Sequence, residues 1–280
     1  MIPKIIHYCW FGGNEMPPLV KWCIKSWHKH LPNYTFKLWN ETNFDVNSIP
    51  FVKEAYEAKK YAFVADYVRL YSLYTEGGIY LDSDERVLKP LDCFLKYDFV
   101  AAHEFHPGLF APDRDKLNEE GLTKNPLQKI EGLGILAAPL FAQKGHPYIK
   151  DCLEFYHNQH FLSPEGKPMH NNLIIGWIMS KNAEKYGYRY TTKEIALANN
   201  GIILDIHTFV NNALFLNKNT YIIHLGLASW HDKKESKKII NLRNYPAIEY
   251  NIMTLRCKLR TIKHFFMSKE KVNDIMGNWF

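Results

Sequence analysis

Residues 77–84 read Gly77-Gly78-Ile79-Tyr80-Leu81-Asp82-Ser83-Asp84: a glycine pair, a short apolar stretch and two aspartates. The glycines predict the end of a helix, and Ile79 to Leu81 predict a brief buried strand. In an extended chain, residues two apart project to the same side, so the carboxylates of Asp82 and Asp84 are expected to face one point. Paired carboxylates repel each other and favour a hard cation, Mn²⁺ or Mg²⁺, which leaves coordination positions for phosphate oxygens.

The stretch before this segment, Val52 to Thr75, predicts one buried helix because apolar and aromatic residues cover most of its surface. Asp66 and Arg69 interrupt that surface three residues apart, close enough to share a face. They form either a structural ion pair or a pair of ligand-binding groups, and the two roles are compatible. The acidic pair that follows lies at the carboxyl end of a strand, where open α/β sheets bind ligands.

The N-terminal part predicts the opening of a parallel α/β sheet. Lys4 to Trp10 reads as a buried strand, a helical pattern begins at Pro17-Pro18, and Tyr34 to Trp39 reads as a second strand. Further along, residues 105–128 have little periodicity and predict a long loop at a binding rim.

The composition is that of a soluble globular protein, since 46% of the 280 residues are hydrophobic and 23% are charged. The apolar runs fall short of the roughly 18–20 residues of a membrane-spanning helix, and the N-terminus lacks a signal-peptide stretch, so a cytoplasmic location is expected. The five cysteines are scattered without a C-x-x-C pair, which argues against a disulfide framework or a cysteine zinc site.

Positive charge is concentrated near the C-terminus. The chain carries a net charge of +6, and residues 232–271 hold eleven Lys or Arg against four Asp or Glu. The rest is close to neutral, which disfavours a nucleic-acid binder. Tyr250 to Phe266 predicts a basic amphipathic helix. That helix either packs on the body with a solvated cationic back or contacts a membrane surface or a partner.

Several of these motifs resemble glycosyltransferase family 32, which contains bacterial capsular polysaccharide transferases and yeast initiating mannosyltransferases and is related to the glucosylating clostridial toxins. Residues 65–71 and 77–84 resemble its DXD signature, residues 2–10 look like its first strand, and His224-Leu225-Gly226 with Ser229-Trp230 looks like its closing motif. The resemblance covers residues 1 to about 104 and 221–231, and residues 105–220 do not align.

The resemblance implies a fold class of α/β, with a nucleotide-sugar-binding fold of the GT-A type. That fold has a mostly parallel sheet with flanking helices, here followed by a basic helical appendage. We expect a catalytic domain over residues 1–231 and the appendage over residues 232–280.

The resemblance also implies roles for the polar residues of the first half. Asp66 and Arg69 would hydrogen-bond the donor sugar, because a carboxylate accepts from sugar hydroxyls and a guanidinium donates in a planar fork. Asp82 and Asp84 would bind the metal and the ribose.

The closing motif and the first strand supply the other implied site residues. His224 would complete the metal shell; a strand histidine satisfied by its neighbours is the alternative, and His231 is the other candidate ligand. Ser229 and Trp230 would donate to the diphosphate, and Trp10 would stack on the base unless it is a core residue.

The predicted function is that of a retaining, metal-dependent hexosyltransferase. It would move a hexose from a nucleotide-diphosphate sugar, with a UDP-sugar favoured, to a hydroxyl of a glycan acceptor in surface polysaccharide synthesis. The basic helix suggests peripheral docking at the inner membrane face, where a lipid-linked acceptor is presented. A metal-dependent phosphohydrolase and a non-catalytic glycan- or nucleotide-binding module on the same fold are the alternatives. No nucleophile stands out, and only weak candidates lie in the unaligned part: Glu131, Asn171, Asn172 and Asp205.

Overall fold

The computed structural model describes residues 1–169, 175–226 and 245–265. Its helices are α1 (Pro18–His30), α2 (Pro50–Glu57), α3 (Tyr61–Glu76), α4 (Pro107–Phe110), α5 (Pro147–His157), α6 (Ile175–Ala183) and α7 (Pro246–Phe265). Its strands are β1 (Ile5–Cys9), β2 (Thr35–Trp39), β3 (Gly78–Tyr80), β4 (Glu85–Val87), β5 (Phe99–Phe105), β6 (Leu133–Ile135), β7 (Leu140–Ala142), β8 (Ile195–Leu197), β9 (Gly201–Leu204), β10 (Phe209–Val210) and β11 (Ile222–His224).

The main sheet has the strand order β2-β1-β3-β7-β5-β9-β8, with β6 paired to β5. β1 is parallel to β2 and β3, and β9 is parallel to β5. β7 is antiparallel to both β3 and β5, and β8 is antiparallel to β9. Strands β2, β1, β3, β5 and β9 therefore run in one direction, which confirms the predicted α/β sheet. We call the edge where these five strands end the carboxyl edge.

A smaller second sheet, β10-β11-β4, covers part of one face. β11 is parallel to β10 and antiparallel to β4. One apolar layer joins β1 and β3 to α1 and the second sheet through Ile6, Ile79, Trp27 and Phe209. On the other face, α2, α3, α5 and α6 bury a larger aromatic layer against the sheet. Helices thus flank the sheet as predicted, with the second sheet beside α1.

The single helix predicted over residues 52–75 is wrong, because α2 ends at Glu57 and α3 begins at Tyr61. Lys59 has a φ of 57° in the left-handed region, and the Lys60 N–H donates to the Ala55 carbonyl at 2.9 Å. Left-handed residues that end helices are usually glycines. A lysine in that position gives no stop signal, so the apolar periodicity runs through the break.

The extended geometry predicted for residues 82–84 is also wrong. β3 ends at Tyr80 and β4 begins at Glu85, and the Glu85 N–H donates to the Asp82 carbonyl at 2.9 Å, which closes a four-residue turn. The turn carries the chain from the main sheet into the second sheet. Strand alternation therefore does not set the directions of the Asp82 and Asp84 carboxylates.

The predicted C-terminal helix is present as α7, which begins at Pro246. Its Tyr250 packs against Trp22 of α1 with ring centroids 5.6 Å apart, and Tyr250 and Met253 lie against the main core. Leu255 and Leu259 of the same helix are 57% and 56% exposed. The domain boundary predicted at residue 231 lies outside the described residues. Among the helices of the described residues, none combines the length and the hydropathy that a membrane span requires.

Gly77 joins α3 to β3 where two backbones come close. Its φ is 70°, and a Cβ added there would lie 2.6 Å from the Lys144 backbone nitrogen. The position therefore needs both a left-handed conformation and the absence of a side chain. This junction sets the distance between the helix that carries Asp66 and the strand that leads to Asp82.

We predict that Gly77→Ala destabilises the protein more than Gly166→Ala. Gly166 has a similar φ of 75° but no atom within 4 Å of an added Cβ. The backbone strain, about 1–3 kcal/mol, applies to both variants, whereas the clash adds roughly another 1–3 kcal/mol for Gly77 only. Urea unfolding of both variants measures the difference in unfolding free energy, and equal losses would contradict this explanation.

Candidate functional site

Arg69 of α3 is buried at the carboxyl edge and bridges three segments. Its Nη2 lies 2.8 Å from Asp66 Oδ1 and 3.4 Å from Asp82 Oδ1. Its Nη1 donates to the Ala137 carbonyl, just before β7, at 2.8 Å. The guanidinium therefore connects the helix, the acidic turn and the chain entering the central antiparallel strand. The ion pair expected between Asp66 and Arg69 is present, and it includes Asp82.

Burial dominates the electrostatics of this group. Burial raises the pKa of Asp66 to about 7, although the Arg69 charge works in the opposite direction. Burial also disfavours charge on Arg69, but Asp82 and Asp66 outweigh it and raise the Arg69 pKa above its ordinary value. Arg69 is therefore a permanent cation, while Asp66 changes charge near neutral pH. A carboxyl group of this kind can hydrogen-bond sugar hydroxyls in either protonation state.

Asp82 has two further partners near the turn. The Tyr80 hydroxyl donates to Asp82 Oδ1 at 3.2 Å, and the Asp82 N–H donates to Glu85 Oε2 at 3.1 Å. The Asp82 side chain keeps 23% of its surface exposed. It is thus fixed on the protein side by Tyr80 and Arg69 and remains open to a ligand.

Asp84 is paired with His224 across the second sheet. His224 Nε2 lies 3.2 Å from Asp84 Oδ2, and the Leu225 N–H donates to the Asp84 carbonyl at 3.1 Å. The register that places His224 opposite Glu85 comes from the antiparallel pairing of β11 with β4. Burial disfavours charge on His224, but the Asp84 carboxylate outweighs it and raises the pKa to about 10. His224 is therefore an imidazolium at neutral pH and must lose a proton before it can bind a metal.

Glu85 is a residue that the sequence did not single out. Its side chain is fully buried, and no described group hydrogen-bonds to its Oε1. Burial raises the pKa of Glu85 well above the usual range, and His224 works against this rise. Glutamates are rarely fully buried without a partner. Nothing in the sequence distinguishes this one from an exposed glutamate, because its burial follows from the pairing of β4 with β11, a strand far away in the chain.

The side chains at and next to the acidic turn suit a hard divalent cation as ligands. The turn offers the carboxylates of Asp82 and Asp84, His224 adjoins them, and the unpartnered Glu85 oxygen lies buried at the same turn. Carboxylate oxygens with one imidazole suit Mn²⁺, and carboxylates alone suit Mg²⁺. Within residues 1–169, 175–226 and 245–265, no three His, Cys, Asp or Glu side chains are already grouped closely enough to hold a metal. Asp82 and Asp84 instead face different partners.

Trp10 directly follows β1, next to the strand that leads to the acidic turn. It is half-buried, and its indole N–H donates to the Asn14 carbonyl at 2.6 Å. The Leu81 N–H donates to the His7 carbonyl at 3.0 Å, which holds the ends of β1 and β3 together. One part of the Trp10 side chain is thus available to a ligand at the carboxyl edge.

The other candidates divide into two groups. Asp205 Oδ1 accepts from the backbone and hydroxyl of Thr208 and from the His207 N–H, so it holds the turn after β9. Glu131 is exposed, and its N–H donates to Asp113 at 2.8 Å. The remaining predicted residues lie outside the described part of the chain: Asn171, Asn172, Ser229, Trp230 and His231.

We predict that Asp66→Asn gains thermal stability relative to the wild type as the pH rises from 5 to 8. The folded-state pKa of about 7 exceeds the ordinary value of 3.8, so the folded protein retains a proton that the unfolded chain releases. The stability linked to this proton is complete below pH ~4 and is lost as the pH rises through ~7. Asparagine does not titrate and avoids this loss.

Circular dichroism melting curves at several pH values give the difference in Tm, which should rise by at least about 2 °C. Asp115→Asn, at an exposed aspartate, serves as the control and should show a constant difference. If the Tm difference between Asp66→Asn and the wild type shrinks with rising pH, attraction to Arg69 outweighs burial in setting the pKa of Asp66.

One segment of the chain, which carries the Arg69 group and the acidic turn, is similar to known proteins. Residues 17–101 match the family described as "Glycosyltransferase sugar-binding region containing DXD motif". The chain is 37% identical over 100 residues to inositol phosphoceramide mannosyltransferase 3 of Schizosaccharomyces pombe, which is 34% of this chain and 28% of that protein. It is 38% identical over 108 residues to the uncharacterized glycosyltransferase L373 of Acanthamoeba polyphaga mimivirus, covering 35% of this chain and 42% of that protein.

The chain thus spans less than half the length of these curated relatives. Among solved structures, the PaToxG glycosyltransferase aligns with a TM-score of 0.46 and 17% identity, over 66% of this chain and 69% of that one. The matched family segment contains Asp66, Arg69, Asp82 and Asp84 and does not reach Trp10 or His224. The resemblance to family 32 is confirmed in this segment, since residues 17–101 match the sugar-binding region that contains the DXD motif.

Proposed function

We propose that this protein is a retaining, metal-dependent hexosyltransferase that uses a nucleotide-diphosphate sugar. The observation that carries the proposal is the arrangement around Arg69. One buried guanidinium joins Asp66 to Asp82 at the carboxyl edge, and the next acid in the turn, Asp84, meets His224. The side chains of Asp66, Arg69, Asp82 and Asp84 all lie in the segment that matches the sugar-binding family.

On the donor side, each residue has a task that suits its chemistry. Asp66 and Arg69 bind hydroxyls of the donor sugar, and Asp82 binds the ribose as well as the metal. Trp10 stacks on the nucleotide base from the end of β1. The buried contacts of Arg69 with Ala137 and Asp82 fix these groups before the donor binds, which avoids reorganisation during the reaction.

The departing nucleoside diphosphate needs its negative charge to be stabilised. As the bond between the sugar and the diphosphate breaks, negative charge grows on the nucleoside diphosphate. Asp82, Asp84 and deprotonated His224 would hold a divalent metal, which would supply positive charge there. Ser229 and Trp230 donate to the diphosphate. The acceptor hydroxyl attacks the donor's original face, by double displacement or by a same-face route.

Several nucleotide sugars are candidates for the donor. A UDP-sugar is the donor favoured by the sequence resemblance. The relative from Schizosaccharomyces pombe is named a mannosyltransferase, which adds GDP-mannose to the donors that need testing. The acceptor is proposed to be a glycan hydroxyl, in a lipid-linked form, within surface polysaccharide synthesis.

A screen of UDP-glucose, UDP-galactose, UDP-N-acetylglucosamine and GDP-mannose for Mn²⁺-dependent hydrolysis tests the function. We expect one donor to be hydrolysed at a rate that EDTA abolishes. Cleavage of p-nitrophenyl phosphate without sugar preference would instead indicate a phosphohydrolase. Calorimetric binding of a sugar without Mn²⁺ and without turnover would indicate a binding module.

We predict that Asp84→Asn folds normally and loses at least about 100-fold in metal-dependent donor hydrolysis, because it removes an anionic metal ligand. Asp92→Asn is the control, since Asp92 is 50% exposed and its carboxylate lies 2.6 Å from the Lys4 ammonium, outside the acidic turn. Initial rates with saturating Mn²⁺ measure the effect. Near wild-type activity in a folded Asp84→Asn protein would refute the metal assignment.

We further propose that α7 docks the protein on the inner face of the membrane. Its exposed Leu255 and Leu259 lie among the basic residues of the C-terminal part. The helix also contacts the turn at Ala213–Phe215, whose Leu214 is 38% exposed. Exposed leucines in a segment whose sequence is basic suit the headgroup region of anionic lipids. A cytoplasmic protein docked in this way would meet a lipid-linked acceptor.

We predict that the double variant Leu255→Glu with Leu259→Glu lowers binding to phosphatidylglycerol-containing vesicles at least about 10-fold, since it removes apolar contact and adds repulsion. Vesicle co-sedimentation at low salt measures the binding. Leu127→Glu is the matched control because Leu127 is 85% exposed in a different part of the chain. Equal binding by both variants would contradict docking through α7.

A further inference from the structure

Three polar side chains outside the donor site meet where β5 and β10 end. Glu104 is the penultimate residue of β5, His106 follows that strand, and Asn211 follows β10. Asn211 Nδ2 lies 3.1 Å from both Glu104 Oε1 and His106 Nε2, and His106 Nε2 lies 3.2 Å from Glu104 Oε1. The side chains of Glu104 and His106 are 36% and 33% exposed. We call this group the Glu104 cluster.

The second sheet places this cluster beside the Asp84–His224 pair. β10 and β11 are parallel, with Val210 paired to Ile223. Asn211 and His224 each follow directly after these paired residues, so they occupy neighbouring positions on adjacent strands, about 5 Å apart. Asn211 therefore adjoins His224 on one side and contacts Glu104 and His106 on the other.

The main sheet places Glu104 on the outer side of the donor groups. The Leu136 N–H donates to the Ala102 carbonyl at 2.9 Å, and the next residue, Ala137, accepts from Arg69 at 2.8 Å. Glu104 lies two residues further along β5 than Ala102, which is about 7 Å further out beyond the carboxyl edge. This displacement is close to the width of one hexose ring. A donor sugar held at Arg69 would thus lie between the buried guanidinium and Glu104.

One carboxylate oxygen of Glu104, Oε2, can still accept a hydrogen bond. Both of its partners in the cluster use Oε1, whereas Oε2 lies 3.7 Å from the place of a Cβ on Gly176, in the first turn of α6. Among the residues that the structure describes, no hydrogen bond to Oε2 is found. A partly exposed carboxylate that is fixed through one oxygen is suited to accept a hydrogen bond from a neutral hydroxyl at the other.

We propose that Glu104 binds a hydroxyl of the acceptor sugar, and that His106 and Asn211 are positioning residues that hold its carboxylate. This inference rests on the proposed glycosyltransferase function and adds the acceptor side, which the family match over residues 17–101 does not include. Exposed apolar side chains follow the cluster closely in the chain, since Leu109 is 57% exposed three residues after His106 and Leu214 is 38% exposed three residues after Asn211. An acceptor sugar that carries an alkyl chain therefore fits this surface.

The test measures acceptor and donor kinetics separately, with the donor found in the nucleotide-sugar screen and with octyl glucoside, octyl galactoside and octyl mannoside as acceptors. In Glu104→Gln, the KM for the best octyl hexoside should rise about 10-fold or more, because a charge-assisted hydrogen bond is lost. The donor KM should change less than about 2-fold. Asn211→Ala should raise the acceptor KM by a smaller factor with kcat nearly unchanged, as expected of a positioning residue.

Glu154→Gln on α5, at a 52% exposed carboxylate, is the matched control and should change neither KM. An unchanged acceptor KM in Glu104→Gln, equal increases in both KM values, or a wild-type protein that hydrolyses the donor but uses no octyl hexoside would each overturn the acceptor assignment. A wild-type protein without Mn²⁺-dependent donor hydrolysis would overturn the proposed function itself, so the two failures are distinguishable.

Discussion

The buried charge of Arg69 is the constraint on which the rest of the site depends. A guanidinium taken out of water must be compensated, and here two carboxylates and the backbone carbonyls of Ala65 and Ala137 surround it. Removing either carboxylate would leave charge buried without its full set of partners. Because these partners come from α3, the turn after β3 and the segment before β7, the same interaction that satisfies the charge fixes the relative positions of three parts of the sheet edge. The proposed donor-binding groups are therefore held in place before any ligand arrives.

The second sheet adds the other half of the arrangement. β4 begins within the acidic turn, and its pairing with β11 brings His224 to Asp84. The parallel pairing of β11 with β10 then brings Asn211 to the same place, and Asn211 reaches Glu104 on the main sheet. A small three-stranded sheet thus connects the proposed metal ligands with the Glu104 cluster. The donor would lie between the main sheet's Arg69 group and this connection.

The sequence predicted the features that depend on local patterns. The first strand, helix and second strand follow from apolar periodicity and proline positions, and the burial of Asp66 and Arg69 follows from the aromatic surface of their helix. The helix break at Lys59 was missed because a lysine takes the left-handed position that glycine usually marks. The turn at Asp82, the burial of Glu85 and the Glu104 cluster were missed for a different reason. Each depends on pairing with β10 or β11, and such long-range pairing leaves no local pattern around the residues concerned.

In the proposed enzyme, the Asp82–Asp84 turn holds a cation against the donor's diphosphate. Crystals of the full chain grown with MnCl₂ and the nucleoside diphosphate of the active donor, with diffraction recorded at the manganese absorption edge, test it most directly. We expect one strong anomalous peak within about 2.0–2.6 Å of a carboxylate oxygen of Asp84 and in contact with the diphosphate. Bound nucleotide with no peak at this turn, or with the peak elsewhere, would contradict it.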